Sequence, residues 1–275
     1  MIGARMARVY HLDLDAHQVG GARLALLPGD PARSRLIAER IAAVTGGAPP
    51  GEPLASNREF CTYRAVLAGA PVLVTSTGIG GPSTSIAVDE LAQLGVRTFL
   101  RVGTTGAIQE DMAVGDVVVT TASVRLDGAS RHYAPLEYPA VAHLEVVLAL
   151  ARAARELAGT FGYRYHVGIT ASTDTFYQGQ ERSQGFDRYV PRHLRGMTAE
   201  LRSLRVLNYE MESATLLTMA GAFGLRAGCV TGVINVRAHE EARPISREDL
   251  HRGQTHAIAV AVRAAELLLT GAVTI

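Results

Sequence analysis

At 275 residues, with 48% hydrophobic and 19% charged, the chain can bury a substantial core, and its formal net charge of +1 gives no global reason to expect a nucleic-acid or membrane partner. All 27 basic residues are arginine, which excludes a Schiff-base lysine and a phosphate-loop lysine. The two cysteines, Cys61 and Cys229, lie far apart without metal-ligand spacing, residues 1–10 carry no apolar targeting core, and no stretch reaches the roughly 18 apolar residues of a membrane span, so a cytoplasmic location is expected.

Apolar β-rich runs alternate with helical patterns along the chain. Strands are expected over residues 23–27, 71–75 and 98–102, with helices over 31–43 and 82–94 between them. Further strands are read over 116–124, 166–171 and 226–236, and helices over 141–158, 212–223 and 248–269. Residues 46–53, rich in glycine and proline, read as a surface loop. This order signals an α/β fold with crossover helices, and the lack of a repeat or long linker indicates one domain over 1–275.

Four segments carry chemistry. In the first, Gly29 ends a strand, Pro31 opens a helix and Arg33 follows, a geometry that binds anions through backbone NH groups and a guanidinium. A tight turn with a solvated arginine is the competing reading. In the second, Arg101 interrupts an apolar strand just before the small, hydroxyl-rich Gly103-Thr104-Thr105-Gly106, read as a turn; the arginine serves either a ligand or a neighbouring carboxylate.

The third runs from Thr175 to Arg182. Phe176 offers a stacking face for a planar base, Gln180 a donor and an acceptor, and Arg182 donors for a carbonyl oxygen. In the fourth, Glu210 and Glu212 flank Met211 at the start of an apolar helix, where carboxylates can accept from vicinal hydroxyls or simply favour the helix dipole. Two tempting motifs fail. Ser83 stands where a dinucleotide fingerprint needs its third glycine, and position 98 is Thr, not an acid; His239-Glu240-Glu241-Ala242-Arg243 ends in Arg, not the second His of a zinc protease.

Together these segments, with residues 76–94, 115–139 and 209–218, resemble the nucleoside phosphorylases of the uridine phosphorylase type, over nearly the whole chain. The resemblance implies a single α/β domain with a mixed, twisted central β-sheet flanked by helices, and a homo-hexamer built as a trimer of dimers. It implies phosphorolysis of uridine, with inorganic phosphate as second substrate. By position it implies that Gly29, Arg33, Arg101 and Thr104 bind phosphate together with Arg58 from the neighbouring subunit. Glu210, Met211 and Glu212 would hold the ribose, with His11 of the dimer partner on the 5′-hydroxyl. Phe176, Gln180 and Arg182 would meet the base, alongside Arg237. No cofactor is required for catalysis; Glu59, Ile79 and Ser83 match positions where the family holds a monovalent cation, often potassium, between subunits.

The implied mechanism is attack of phosphate on the anomeric carbon through an oxocarbenium-like state, with Arg101, Gln180 and Arg182 stabilising the charges that develop. Purine-specific members of the superfamily place an aspartate after the strand at 226–236, and no aspartate occurs from Arg188 to Glu248. A binding protein that had lost catalysis would be expected to lack Arg101 or Glu212, and both are present. One departure concerns Asn235-Val236, exchanged relative to the family's order, which bears on base preference.

Overall fold

The computed structural model describes residues 8–237 and 245–273. After one turn of helix, α1 (Ala16–Val19), the first apolar run forms β1 (Leu24–Pro28), buried along its whole length. Helix α2 (Pro31–Thr45) begins as expected: Pro31 fits the first turn, the Asp30 side chain accepts from Ala32 N, and Gly46 closes the helix in left-handed conformation.

The segment after the 46–53 loop goes beyond the sequence reading. It forms β2 (Ala55–Asn57) and β3 (Phe60–Leu67), antiparallel to one another, and β3 pairs with β4 (Ala70–Thr75). The first half of β3 is buried on both faces and only its second half alternates, so the period-two signal that marks a strand is missing. Helix α3 (Gly81–Gln93), β5 (Thr98–Ala107), β6 (Val117–Leu126), β7 (Ala140–Val141), α4 (Leu144–Phe161) and β8 (Tyr165–Thr173) follow. The chain ends with α5 (Met197–Ser203), β9 (Asn208–Glu210), α6 (Ser213–Ala222), β10 (Arg226–Val236) and α7 (Arg247–Leu269).

One expectation is corrected, and one strand is added. Residues 103–106 are not a turn: β5 runs on to Ala107, because β10 stays paired beside it and β9 joins it at Gly106 and Ala107. Residues 208–210, just before the expected helix, form β9, with Asn208 held in the sheet by hydrogen bonds to Thr105 (2.7 Å) and Thr170 (2.9 Å). Glu212 sits one residue before the helix, at its N-cap.

The strands join in the order β10-β6-β8-β9-β5-β1-β4-β3-β2, with β7 beside β6, and β10 also pairs with β5. That extra pairing closes β5, β10, β6, β8 and β9 into a ring, from which β1, β4, β3 and β2 extend as a wing. The sheet is mixed: β1 is parallel to β4 and β5, and β5 to β10, while β6 opposes β10 and β9 opposes β5. One apolar core packs α2, α4 and α7 against the sheet, and a second packs α1, α3 and α6 on its other side. Among the described residues, no helix is long and apolar enough to cross a membrane.

One consequence positions the site. β1 and β5 pair only as far as Pro28 and Val102. Beyond that point β5 continues with β9 and β10 alone, and a crevice opens past the carboxyl end of β1, where open α/β sheets bind ligands.

Candidate active site

A cavity of about 630 Å³ fills that crevice. Its β1 end is built by Gly29, Arg33, Arg101 and Thr104. The glycine turn is crowded: a Cβ on Gly29 would lie 3.0 Å from Gly78 O, so the β1–α2 and β4–α3 turns approach closely. Arg33, 7% exposed, is anchored by donating from Nε to Gln254 Oε1 at 3.0 Å and from Nη1 to Val102 O at 3.4 Å. Burial, and then repulsion from Arg101, push its pKa down to about 10. Two buried guanidiniums in each other's field suit an anion of more than one charge.

Arg101, 6% exposed, does have the carboxylate partners that the sequence left open. Its Nε donates to Glu210 Oε2 at 2.7 Å and its Nη2 pairs with Glu212. Its Nη1 is buried without a partner among the described residues, so one donor of the fork is left over. The two glutamates differ in surroundings. Burial alone would raise both, yet Glu210 is held below the ordinary carboxylate range by Arg101, the Ser213 hydroxyl and the NH of Glu212. Glu212 is raised by burial, with the Glu210 charge adding to it despite Arg101 and an NH donated by Gly80 at 2.6 Å.

Phe176, Gln180 and Arg182, brought in by the loop after β8, stand further along β5: Arg33 donates to Val102 O, whereas a Cβ on Gly106 would lie 3.5 Å from Arg182 Nη2. The Arg182 guanidinium lies 3.9 Å from the Phe176 ring centre, and its Nε donates to Gln180 Oε1 at 3.2 Å. Burial, and then Arg237, push the Arg182 pKa down to about 10. Arg237 is behind this wall and not in it: its Nη2 donates to Gln180 O, and its guanidinium sits 5.3 Å from the Tyr209 ring centre. Met211, Tyr209, Thr105, Ile234 and Asn235 are also part of the lining. Of these, Asn235 was signalled by its exchange with Val236; Tyr209 and Thr105 carry no such sequence signal.

His11 and Arg58 likewise do not line this chain's cavity. His11 donates from its backbone NH to Glu90 and shares a 2.7 Å hydrogen bond between Nδ1 and Glu90 Oε1. Arg58 is exposed at a left-handed backbone position, φ 54°. Glu59 and Ile79 line the rim, Ile79 being 77% exposed, and Ser83 Oγ donates to Glu59 Oε1 at 2.7 Å. The motif at 239–243 lies outside the described residues.

From one end to the other, the cavity therefore presents a guanidinium pair, a carboxylate pair, and an aromatic–amide–guanidinium group. Such an arrangement belongs to a group-transfer site that binds an anion beside a polyhydroxylated substrate. The model of the phosphorylase superfamily matches residues 23–270, and the chain belongs to that superfamily. It is 55% identical over 261 residues to the uridine phosphorylase of Escherichia coli (strain K12), a match spanning 95% of this chain and 98% of that one. With the uridine phosphorylase of Haemophilus influenzae it shares 50% identity over 265 residues, 96% of this chain and 100% of the other. A guanosine phosphorylase of Halorubrum lacusprofundi is 38% identical over 231 residues, 83% of each chain.

Proposed function

We propose that this chain catalyses the phosphorolysis of uridine to uracil and ribose 1-phosphate, a reaction of pyrimidine salvage. The order of charge along the cavity carries the reading. Arg33 and Arg101 at the β1 end suit phosphate, Glu210 and Glu212 in the middle suit hydroxyl donors, and Gln180 and Arg182 at the far end suit a base that leaves as an anion. This is the order phosphate, ribose, base that the reaction requires.

Phosphate held by Gly29, Arg33, Arg101 and Thr104 attacks the anomeric carbon while the bond to the base breaks through an oxocarbenium-like state. The spare Nη1 of Arg101 is a donor for a phosphate oxygen. Glu212, with Glu210 and Met211 beside it, fixes the ribose, and Phe176 stacks on the ring. Arg182 stabilises the negative charge that builds on the ring carbonyls as the base departs, and Gln180 fixes the edge it presents. Arg237 supports this end through the Gln180 carbonyl. Positioning and electrostatics suffice, without a covalent enzyme intermediate.

The assembly belongs to the same proposal. His11 and Arg58 stand away from their own chain's cavity, which supports a homo-oligomer, a hexamer of three dimers, in which they complete a neighbour's site on the ribose 5′-hydroxyl and on phosphate. The adjacent Glu59 carboxylate and Ser83 hydroxyl are hard oxygen donors that fit a potassium ion, and they would hold it with Ile79 between subunits. The setting proposed for the enzyme is the cytoplasm. Phosphate-dependent release of uracil from uridine, compared with release of base from inosine and guanosine, tests the reading. Uridine is expected to be preferred by orders of magnitude, because a site that hydrogen-bonds one base edge leaves buried groups unpaired with another. Equal specificity constants would contradict it.

A further inference from the structure

Strand β10 changes register inside the site. It pairs with β5 in step up to Val233 and Thr105 and resumes at Asn235 and Gly106, so Ile234 is the extra residue of a bulge. In a regular strand consecutive side chains point to opposite faces, and a bulge re-aims one of them. Ile234 and Asn235 accordingly both line the cavity. Asn235 is only 5% exposed, and its Oδ1 is buried with no hydrogen-bond partner among the described residues. It enters space left by an absent side chain. A Cβ on Gly106 would lie 2.9 Å from Asn235 Oδ1, 3.1 Å from Arg237 Cδ and 3.5 Å from Arg182 Nη2.

An unpaired amide in the wall of a cavity is unfavourable by itself, and an apolar β-branched residue would suit the strand better. The other end of the amide, its NH2, is the group a ligand oxygen can meet, as a donor. We propose that Asn235 is a base-selecting residue whose side-chain amide meets the pyrimidine at the corner between its 4-oxygen and its 5-position, an inference that rests on the uridine reading above. The order of groups along the wall leads there. Gln180 accepts from Arg182, and Arg182 and Asn235 share the space over Gly106, so the sequence in space is Gln180, Arg182, Asn235. The polar edge of uracil runs from the 2-oxygen through N3 to the 4-oxygen, and C5 comes next. With Gln180 on the first part of that edge and Arg182 on the 4-oxygen, Asn235 falls at the 4-oxygen and C5. There its NH2 donates to the oxygen as charge grows on it, and its polarity disfavours an alkyl group on C5 that would cover the amide without pairing it.

The test compares kcat/KM for uridine and 5-methyluridine, at saturating phosphate, in the unaltered enzyme and in Asn235→Val and Asn235→Ala. The unaltered enzyme is expected to prefer uridine by about tenfold or more, and both variants to lose most of that preference, since one methyl group at a matched wall is worth about tenfold upward. The KM for phosphate should not change, because Asn235 stands at the other end of the cavity. Thermal unfolding of each variant establishes that it is folded. Equal use of the two nucleosides by the unaltered enzyme overturns the inference without any variant, as does a folded variant that keeps the original ratio. An unaltered enzyme that releases no uracil from uridine overturns the uridine reading itself, whereas one that releases it without preference overturns only the role of Asn235.

Discussion

Arg101 Nε donates to Glu210 Oε2 across 2.7 Å, and the same guanidinium pairs through Nη2 with Glu212, so one buried cation ties β5 to both carboxylates of the β9–α6 turn. In the proposed reaction, the phosphate site and the sugar site thereby meet at a single side chain.

Replacing that side chain is expected to damage both function and fold. Arg101→Ala should abolish phosphorolysis, and it should also destabilise the chain by about 3 to 5 kcal/mol, the usual consequence of stranding buried charges. Arg101→Lys keeps the charge but loses the forked donors, so it should retain more stability than activity. Denaturant unfolding beside uracil release at low phosphate measures the two effects. Normal activity in a folded Arg101→Lys enzyme would argue against a phosphate contact.

The glutamate pair makes activity sensitive to acid before the fold is. Glu212 titrates above its ordinary 4.5 because it is buried, with the Glu210 charge adding to the effect. If Glu212 accepts ribose hydroxyls as proposed, its carboxylate is lost as the pH falls through that raised value, so kcat/KM for uridine should decline on the acid side at a pH above 4.5. The same protonation relieves a burial cost, so Glu212 adds stability as the pH falls through its raised pKa. Glu210 is held low, and its stabilising contribution is lost only as the pH falls below the ordinary carboxylate value. Rate profiles at saturating phosphate, set beside circular dichroism, should show activity lost before structure; simultaneous loss would contradict the assignment.

Gly106 supplies the room at the base end. In Gly106→Ala the new methyl would stand 2.9 Å from Asn235 Oδ1 and 3.1 Å from Arg237 Cδ, closer than ordinary contact. Overpacking of this kind costs about 1 to 3 kcal/mol. The expected result is a KM for uridine raised about tenfold with the KM for phosphate near its original value. An equal change in both would mean that the substitution deforms the whole cavity.

Complementation tests the proposed sharing of sites. Arg58→Ala and Arg182→Ala enzymes should each be strongly impaired. If Arg58 serves a neighbour's site, a mixed dimer collects both defects in one site and leaves the other intact, so hybrids made by joint unfolding and reassembly should recover activity. Native mass spectrometry establishes that the hybrids have formed. Hybrids as inactive as their parents would show that each site is built from one chain.

Local signals in the sequence determined a good deal of this molecule. The alternation of apolar runs and helical patterns specified the α/β order, Gly29 and Pro31 specified the turn at the cavity mouth, and the lone arginine of an apolar strand marked Arg101, because periodicity and turn chemistry are properties of neighbouring residues. The tertiary structure alone decided the rest. Whether residues 103–106 turn or extend depends on β9 and β10 lying beside them, and the two-faced burial of β3 erased the alternation that would have announced it. Glu210 and Glu212, two residues apart, are pushed in opposite directions in pKa because one collects three donated hydrogen bonds around Arg101 while the other is buried against its neighbour's charge. Asn235 reaches the cavity through a bulge set by its pairing with a distant strand. Each of these outcomes depends on which remote groups come to lie beside a residue, and that is decided only when the chain packs.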